Sequence, residues 1–417
     1  MDWGLCAGCG ACAYALGNQR VTLVNIEDVG IRPRFDSADA ESLRKGLAYC
    51  PGYAVDGALA SGPLPLKSEA DRAFGPALEI WEGHAADPEI RFQASSGGLL
   101  TALSLYCLEN EGMGFVLHSG MDEDHPLLNR TVKSSSRAEL LSRAGSRYAP
   151  ASPCDGLQSI QDSDRPAVFI GKPCDAAGAM LSRKQNANLD RNLGLVLTFF
   201  CAGTPSTKGT LSLLNSLEIN PAEVQSLRYR GQGWPGRFKA RVDGKEAPNS
   251  LSYNDSWGRL SHYRSMRCHI CPDGLGRVAD LACGDAWDKF EDGKDNGRSI
   301  VLVRTERGRE ILHRAIAKGY VQLKPIDASA VLAAQKNLLE RRKEIFGRLL
   351  ARRLFLVPSP KFSGFSLFHS WLRLPFAQKL RTIGGSLVRL FQRGLFRRKR
   401  LFGAASRGLQ SLREDVG

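Results

Sequence analysis

The opening MDWGLCAGCGACAYA sets three cysteines two residues apart before position 13, and this spacing restricts the chain more than any other feature. In a CxxCxxC run each two-residue spacer lets a tight loop turn a thiolate inward, so Cys6, Cys9 and Cys12 can wrap one face of a metal cluster. Zinc sites draw more often on separated CxxC pairs. Three cysteines in series favour a 4Fe–4S cube, which needs a fourth thiolate. Cys50 in AYCPGYAVDG meets that need, and Pro51, with no amide hydrogen and a fixed φ, turns the chain away behind it. The intervening RVTLVNIEDVGIRPRF alternates as a hairpin does, which predicts that the chain doubles back and returns Cys50 to the first three.

Eleven cysteines, in a chain whose first twenty residues lack a basic start followed by an apolar core, imply a reducing, cytoplasmic setting. Thiols there bind metal or do chemistry rather than form disulfides. Cys107 and Cys154 stand alone and read as buried, inert thiols. No run of eighteen apolar residues occurs, so a membrane-spanning helix is not expected. The 417 residues, 43% hydrophobic, suffice for two or three domains. Charge is segregated: from Lys336 onward nineteen Lys/Arg face four Asp/Glu, whereas residues 1–335 hold 38 basic and 39 acidic side chains. The body is neutral, and the net charge of +14 gives no case for nucleic-acid binding by it.

A Pro/Gly/Ser-rich connector, ALASGPLPLKSEADRAFGP, precedes a change of pattern. RFQASSGGLLTALSLYCLENEG reads as a glycine loop opening a helix near Gly98, with Leu99, Leu100, Leu103 and Cys107 on its apolar side. Ser95, Ser96, Gly97 and Gly98 would present amides and hydroxyls at the positive helix end, as a phosphate seat does and as an ordinary serine cap also does. Two strand-to-loop units follow. Ala167–Ile170 ends in Gly-Lys-Pro-Cys, and Leu193–Phe200 ends at Cys201, so Cys174 and Cys201 fall beyond strand carboxyl ends, where α/β sheets collect ligands. Lys172 sits where it could meet a phosphate or a flavin ring. In MRCHICPDGLGRVADLACGDAW, Cys268 and Cys271 form half a metal site, with Cys174, Cys201 and Cys283 as candidates to complete it. The competing arrangement is a zinc knuckle of Cys268, Cys271, Cys283 and His269. SIVLVRTERGREILHRAIAKG supplies one more strand and helix before residue 330.

Taken together, CxxCxxC with its remote CP, SSGGLLTAL, GSRYAPAS, GKPCDAAGA, FFCAGTPS and CHIC followed by VADLACGDAW resemble the coenzyme F420 hydrogenase/dehydrogenase beta-subunit family. That family includes 7-hydroxymethyl chlorophyll a reductases and ferredoxin-dependent divinyl reductases, and the resemblance runs in order over roughly residues 1–330. It implies an α/β (α+β) flavin domain with a small N-terminal ferredoxin-like iron–sulfur segment; the charge pattern after Lys336 adds a C-terminal helical basic tail. The expected boundaries are 1–60 for the iron–sulfur segment, 61–80 for a linker, 81–155 and 156–335 for the two parts of the flavin domain, and 336–417 for the tail. The resemblance implies two 4Fe–4S clusters and FAD. It assigns Cys6, Cys9, Cys12 and Cys50 to one cluster and Cys174, Cys201, Cys268 and Cys271 to the other, leaving Cys283 as a spare. It places Ser95–Gly98, Arg147, Tyr148 and Lys172 near the flavin. One departure is Asp175, where the family usually carries Gln.

These parts imply an oxidoreductase that takes single electrons from ferredoxin or a similar donor and passes pairs to a small-molecule acceptor of unread identity. Arg230 and Trp234 in LRYRGQGWPGRF are candidates to orient it, and Asp285 and Asp175 are candidate proton donors. Two other functions compete: an electron-transfer subunit of a larger complex, and a zinc-stabilised binding module. After Lys336, Leu and Phe recur every three or four residues among Arg and Lys, as in basic amphipathic helices broken at Pro358, Pro360 and Pro375. Such a tail suits an anionic membrane surface or an acidic protein, with peripheral attachment on the inner face of the membrane as the corresponding location.

Overall fold

A computed structural model of the chain describes residues 2–36, 39–60, 66, 68–289, 296–398 and 401–402. Its centre is an eight-stranded mixed sheet of β1 (Glu79–Ala85), β2 (Val116–Met121), β3 (Asn129–Ser134), β4 (Ala167–Gly171), β5 (Leu193–Phe199), β6 (Leu281–Asp285), β7 (Ser299–Val303) and β8 (Val321–Pro325). The spatial order is β8-β1-β7-β6-β5-β4-β2-β3. Strands β2, β4, β5 and β6 run parallel to their neighbours in that series, and the outer pairings are antiparallel. The apolar runs in β4, β5 and β7 are buried on both faces, as strands covered on two sides must be.

Alternation along these strands divides the core. Val168, Leu195, Leu197, Leu281 and Val301 face helix α1 (Leu99–Asn110) and the helix Glu306–Ala317. Phe169, Val196 and Ala167 face the other way, onto α2 (Pro173–Arg183), the N-terminal cysteine segment and the C-terminal helices. Each such side chain contributes about 1.5–3 kcal/mol by leaving water, so the cysteine segment is seated by the sheet's own hydrophobic face.

The N-terminal segment follows its sequence closely. A helix Ala11–Leu16 leads into the hairpin Val21–Ile26 with Gly30–Phe35, in which Val21 lies opposite Phe35. A helix Ala40–Ala48, capped by the Asp39 carboxylate on the Ser42 amide, then delivers Cys50. The linker is shorter than its composition suggests. Glu69–Phe74 is helical with a Ser68/Asp71 capping box, β1 already begins at Glu79, and residues 61–65 and 67 lie outside the described residues.

The basic C-terminal region is helical, yet it is packed onto the body rather than hung from it. Strand Lys361–Ser363 pairs in parallel with Ala54–Asp56. The fully buried Arg352, on α3 (Ile345–Leu354), donates to the carbonyls of Trp3 and Pro358 at 3.0 and 2.6 Å. Arg342 donates to the carbonyl of Pro272 at 3.2 Å. Charge that composition assigns to a solvated tail is thus partly spent on loop carbonyls of the body. Among the described residues no helix is long and apolar enough to cross a membrane. The end of the region, 399–400 and 403–417, lies outside the described residues.

Candidate functional site

The first cysteine group is made by backbone conformation. Gly8 and Gly10 take φ of +72° and +88°, a left-handed region that L side chains avoid. A Cβ on Gly10 would stand 2.8 Å from both the Ser152 carbonyl and the Asp155 amide. That closeness seats the loop on the body and turns the Cys6, Cys9 and Cys12 side chains toward Cys50. Their proximity shows in the electrostatics. Burial, then the charges of Cys6, Cys9 and Cys50, push the Cys12 thiol far above its ordinary range. Burial, then Cys6 and Cys9, raise Cys50 to about 12. The Gly8 amide donates to Cys6 Sγ at 3.4 Å.

The second group is assembled by the sheet. Cys174 opens α2 directly behind β4, Cys201 follows β5, and Cys268 and Cys271 lie on and just after the short helix Met266–His269. Burial, then Cys268 and Cys271, raise the Cys201 thiol to about 12. Burial, then Asp175, keeps the Cys174 thiol high as well, with Cys201 and Cys271 adding to the effect. The Thr204 amide donates to Cys268 Sγ at 3.3 Å, and Ser265 Oγ lies 3.3 Å from the same sulfur. Among the described residues no three His, Cys, Asp or Glu side chains converge closely enough for a single metal ion. Thiolates around a polynuclear cluster stand wider apart, because iron and sulfide lie between them, and two all-cysteine quartets are the donor set such clusters take.

Between the groups lies a buried ion pair. Lys172 Nζ reaches Asp175 Oδ2 at 2.6 Å and the Ala151 carbonyl at 3.1 Å, with both side chains almost wholly enclosed. Burial works against the Lys172 charge, but Asp175, Cys174 and Cys201 outweigh it and hold the ammonium well above its usual pKa. The same pair acts on Cys9 of the first group. A cleft lined by Gly8, Arg32, Lys172, Thr204, Pro205 and Ser265 runs along both groups. Arg267, 4% exposed, donates to the Pro51 carbonyl at 3.2 Å and partly offsets the burial that raises the Cys271 thiol, so it too spans them.

Cys283 lies in the apolar core against β7, raised to about 12 by burial alone, and does not join Cys268 and Cys271. The His269 ring faces Arg393 at 3.4 Å and is held down to about 2 by burial and a ring of arginines. The four residues of a zinc knuckle are therefore not brought together. Cys107 is an inert core thiol, whereas Cys154 is not alone. Its hydrogen bond is the largest influence on Cys9, and its amide donates to the Cys9 carbonyl at 3.0 Å. The part Cys154 plays beside Cys9, and the places of Arg32 and Arg267, are not legible in the sequence, since isolated residues in PASPCDG, GIRPRF and SMRCH carry no spacing signal.

The glycine loop stands elsewhere along the same sheet edge. Gly98, at φ +79°, precedes α1, whose first turn has no side-chain cap. A Cβ on Gly97 would lie 2.6 Å from the Gly83 carbonyl. Ser96 Oγ pairs with Ser299 Oγ at 2.8 Å, and Ser95 Oγ accepts from the Ser146 amide at 2.5 Å, which ties SSGG to GSRY. Arg147 is consumed internally: Nε donates to Asn129, Nη1 to the Leu227 carbonyl and Nη2 to the Pro126 and Leu128 carbonyls. Tyr148 lies within 3.5 Å of Arg230, which grips Asp285 through two bonds of 3.0 and 2.8 Å. Trp234 Nε1 also donates to Asp285 at 2.7 Å, and the Arg230 guanidinium lies over the Tyr253 and Trp287 rings at 4.5 and 5.4 Å. Asp285 and Asp175, the candidate proton donors, are thus both engaged as anchors. Lys172 sits with the cysteines at the β4 end, while the loop lies at the β1–β7 end.

Residues 80–158 match the family described as the N-terminal part of the coenzyme F420 hydrogenase/dehydrogenase beta subunit. Residues 164–329 match the family described as the C terminus of the same beta subunit. The chain is 27% identical over 255 residues to the beta subunit of F420-dependent formate dehydrogenase from Methanocaldococcus jannaschii, a match covering 60% of this chain and 63% of that subunit, just under two thirds of its length. It is 24% identical over 265 residues to the coenzyme F420 hydrogenase subunit beta of Methanosarcina barkeri, covering 62% and 85%. With the coenzyme F420-dependent sulfite reductase of Methanocaldococcus jannaschii it shares 24% identity over 361 residues, 82% of this chain and 52% of that protein. A solved chain of the F420-reducing NiFe hydrogenase complex from Methanosarcina barkeri shares the fold at a TM-score of 0.54 and 21% identity, covering 70% of this chain and 98% of that one. On its sequence and its fold, the chain belongs to the coenzyme F420 hydrogenase/dehydrogenase beta-subunit family.

Proposed function

We propose that this chain is an iron–sulfur flavoprotein oxidoreductase that takes single electrons from ferredoxin or a similar donor and delivers pairs to a small-molecule acceptor. Two 4Fe–4S clusters and FAD would supply the conversion between one-electron and two-electron transfer when bound. Residues 1–60 then serve as a ferredoxin-like segment and the sheet as a flavin domain. The observation that carries this reading is the adjacency of the two cysteine groups, with Lys172 and Asp175 acting on members of both.

The residues take distinct parts. Cys6, Cys9, Cys12 and Cys50 hold one cluster, and Cys174, Cys201, Cys268 and Cys271 hold the other. The Gly8 and Thr204 amides donate to ligand sulfurs and fix their orientation. Lys172 stays protonated and balances thiolate charge at the buried end of the cleft. The loop Ser95, Ser96, Gly97 and Gly98 leads into the uncapped first turn of α1, which would receive the flavin's phosphates, while the Gly97 amide is held by Ser299 Oγ at 2.9 Å. Arg147 sets the turn that carries Tyr148, and the Arg230–Asp285 pair with Trp234, Tyr253 and Trp287 forms a stiff wall beside the loop.

A second reading, an electron-transfer subunit without its own substrate, is favoured by the relatives being beta subunits of larger enzymes. Anaerobic purification with iron, sulfide, zinc and flavin quantitation tests the cofactor claim. Iron and sulfide in equal amounts with flavin are expected, and zinc without iron or flavin would overturn it. Turnover of an organic acceptor by the purified chain alone separates an enzyme from an accessory electron carrier.

A further inference from the structure

We propose that helix α4 (Phe376–Gln392) is a docking face for an anionic phospholipid surface. The inference is independent of the cofactor reading. It starts from a helix packed in the reverse of the usual sense. A surface helix ordinarily buries its apolar side and shows its polar one. Here Thr382, Ser386 and Leu390 face inward, while Phe376, Leu380, Val388 and Phe391 are 74%, 55%, 56% and 78% exposed. The exposed four fall on one face, with Ala377 and Gly384 between them.

The inner contact explains the reversal. A Cβ on Gly347 of α3 would stand 2.0 Å from Thr382 Oγ1, so the two helices meet through small residues. Trp371 Nε1 donates to Thr382 Oγ1 at 3.1 Å, and Ser386 Oγ donates to the Thr382 carbonyl at 2.6 Å. Close packing of this kind at Thr382 and Ser386 leaves no room there for Phe or Leu, and only Leu390, in the last turn, is a large apolar side chain fully buried on this side. The stripe runs about 22 Å along the helix, at 1.5 Å per residue. Phe396, packed edge-to-face on Phe355, extends it, as does Leu356, 92% exposed. Among the described residues, ten of the sixteen exposed large apolar side chains fall between Leu354 and Phe396, which marks this surface and not the body as an interface.

Charge selects the occupant. From residue 345 to 402 the chain has thirteen Lys/Arg and no Asp/Glu. Exposed Arg353, Arg381 and Arg397 flank the stripe, and Arg373 and Arg398 lie at its ends, where they pair with Glu69 and Asp2. A linear apolar face with a basic border is the pattern of helices that lie in a bilayer interface, where anionic headgroups meet the cations and acyl chains meet the Phe and Leu side chains.

The test is co-sedimentation of the full chain with vesicles of phosphatidylcholine alone and of phosphatidylcholine with phosphatidylglycerol, at low and high salt. Binding at least about tenfold stronger to the anionic vesicles, and weakened by salt, is expected. Phe376→Ser, Leu380→Ser and Phe391→Ser together should lose at least about tenfold with unchanged circular dichroism and thermal midpoint, since all three side chains are exposed. Arg381→Gln alone should lose about fivefold. Wild-type protein that stays in the supernatant with both vesicles would overturn the proposal, as would a triple variant that binds equally. Capture of an acidic protein by this face, without vesicle binding, would replace the lipid with that partner.

Discussion

The two cysteine groups hold the same number of thiols and are built in opposite ways. The first is local: three cysteines on one glycine-turned loop and a fourth one hairpin and one helix later. The second draws Cys174, Cys201, Cys268 and Cys271 from separate sheet connections and is braced by the C-terminal region. There Arg348 donates to the His269 carbonyl at 2.7 Å, and Arg341 donates to the Ala202 carbonyl. A loop can organise a metal site by backbone conformation alone, whereas a site assembled from strand ends depends on the whole sheet and on whatever packs over it.

The largest effect should come from the element the groups share. Lys172→Met leaves Asp175 buried and unpaired, so it should cost about 3–5 kcal/mol in denaturant unfolding and reduce iron in both groups. Loss from one group alone would break the claim that the pair serves both. Next come two glycines that separate the groups. Gly10→Ala and Gly203→Ala each force a side chain into positive φ, at +88° and +123°, at a cost of about 1–3 kcal/mol. A Cβ at Gly203 would meet Arg264 at 2.6 Å and Cys268 at 3.2 Å. Metal analysis should find the first variant poor in first-group iron and the second poor in second-group iron.

The smallest effect lies away from both. His118 on β2 is held down to about 4 by burial and then by Arg143, with Nε2 2.8 Å from Ser134 Oγ. The unfolded chain takes up this proton below about pH 6.5 while the folded chain refuses it until about 4. Stability is therefore full above that window and falls by about 1 kcal/mol between roughly pH 6.5 and 5.5. His118→Gln should flatten that slope in pH-dependent unfolding without touching iron content.

Legibility in the sequence followed this division. The CxxCxxC spacing, the hairpin, the helix start at Gly98 and the strands expected over Ala167–Ile170 and Leu193–Phe200 all express local periodicity and turn chemistry, and the structure contains them, with the strands ending one residue away at Gly171 and Phe199. The second group needed the family resemblance, because no local pattern tells which strand ends are neighbours in a sheet ordered β6-β5-β4. Composition also misjudged the C-terminal region. A guanidinium that donates to buried carbonyls, as those of Arg352 and Arg342 do, looks in sequence like one in solvent. Arg147 misled in a similar way, being a strut between loops where a cofactor contact was expected.

Electron paramagnetic resonance of the reduced protein, comparing wild type with Cys12→Ser and Cys271→Ser, addresses the central claim of two separate iron–sulfur sites. The wild type should show two overlapping signals, and each variant should keep a different one along with half the iron. Loss of both signals from either substitution, or two variants that keep the same signal, would contradict the account.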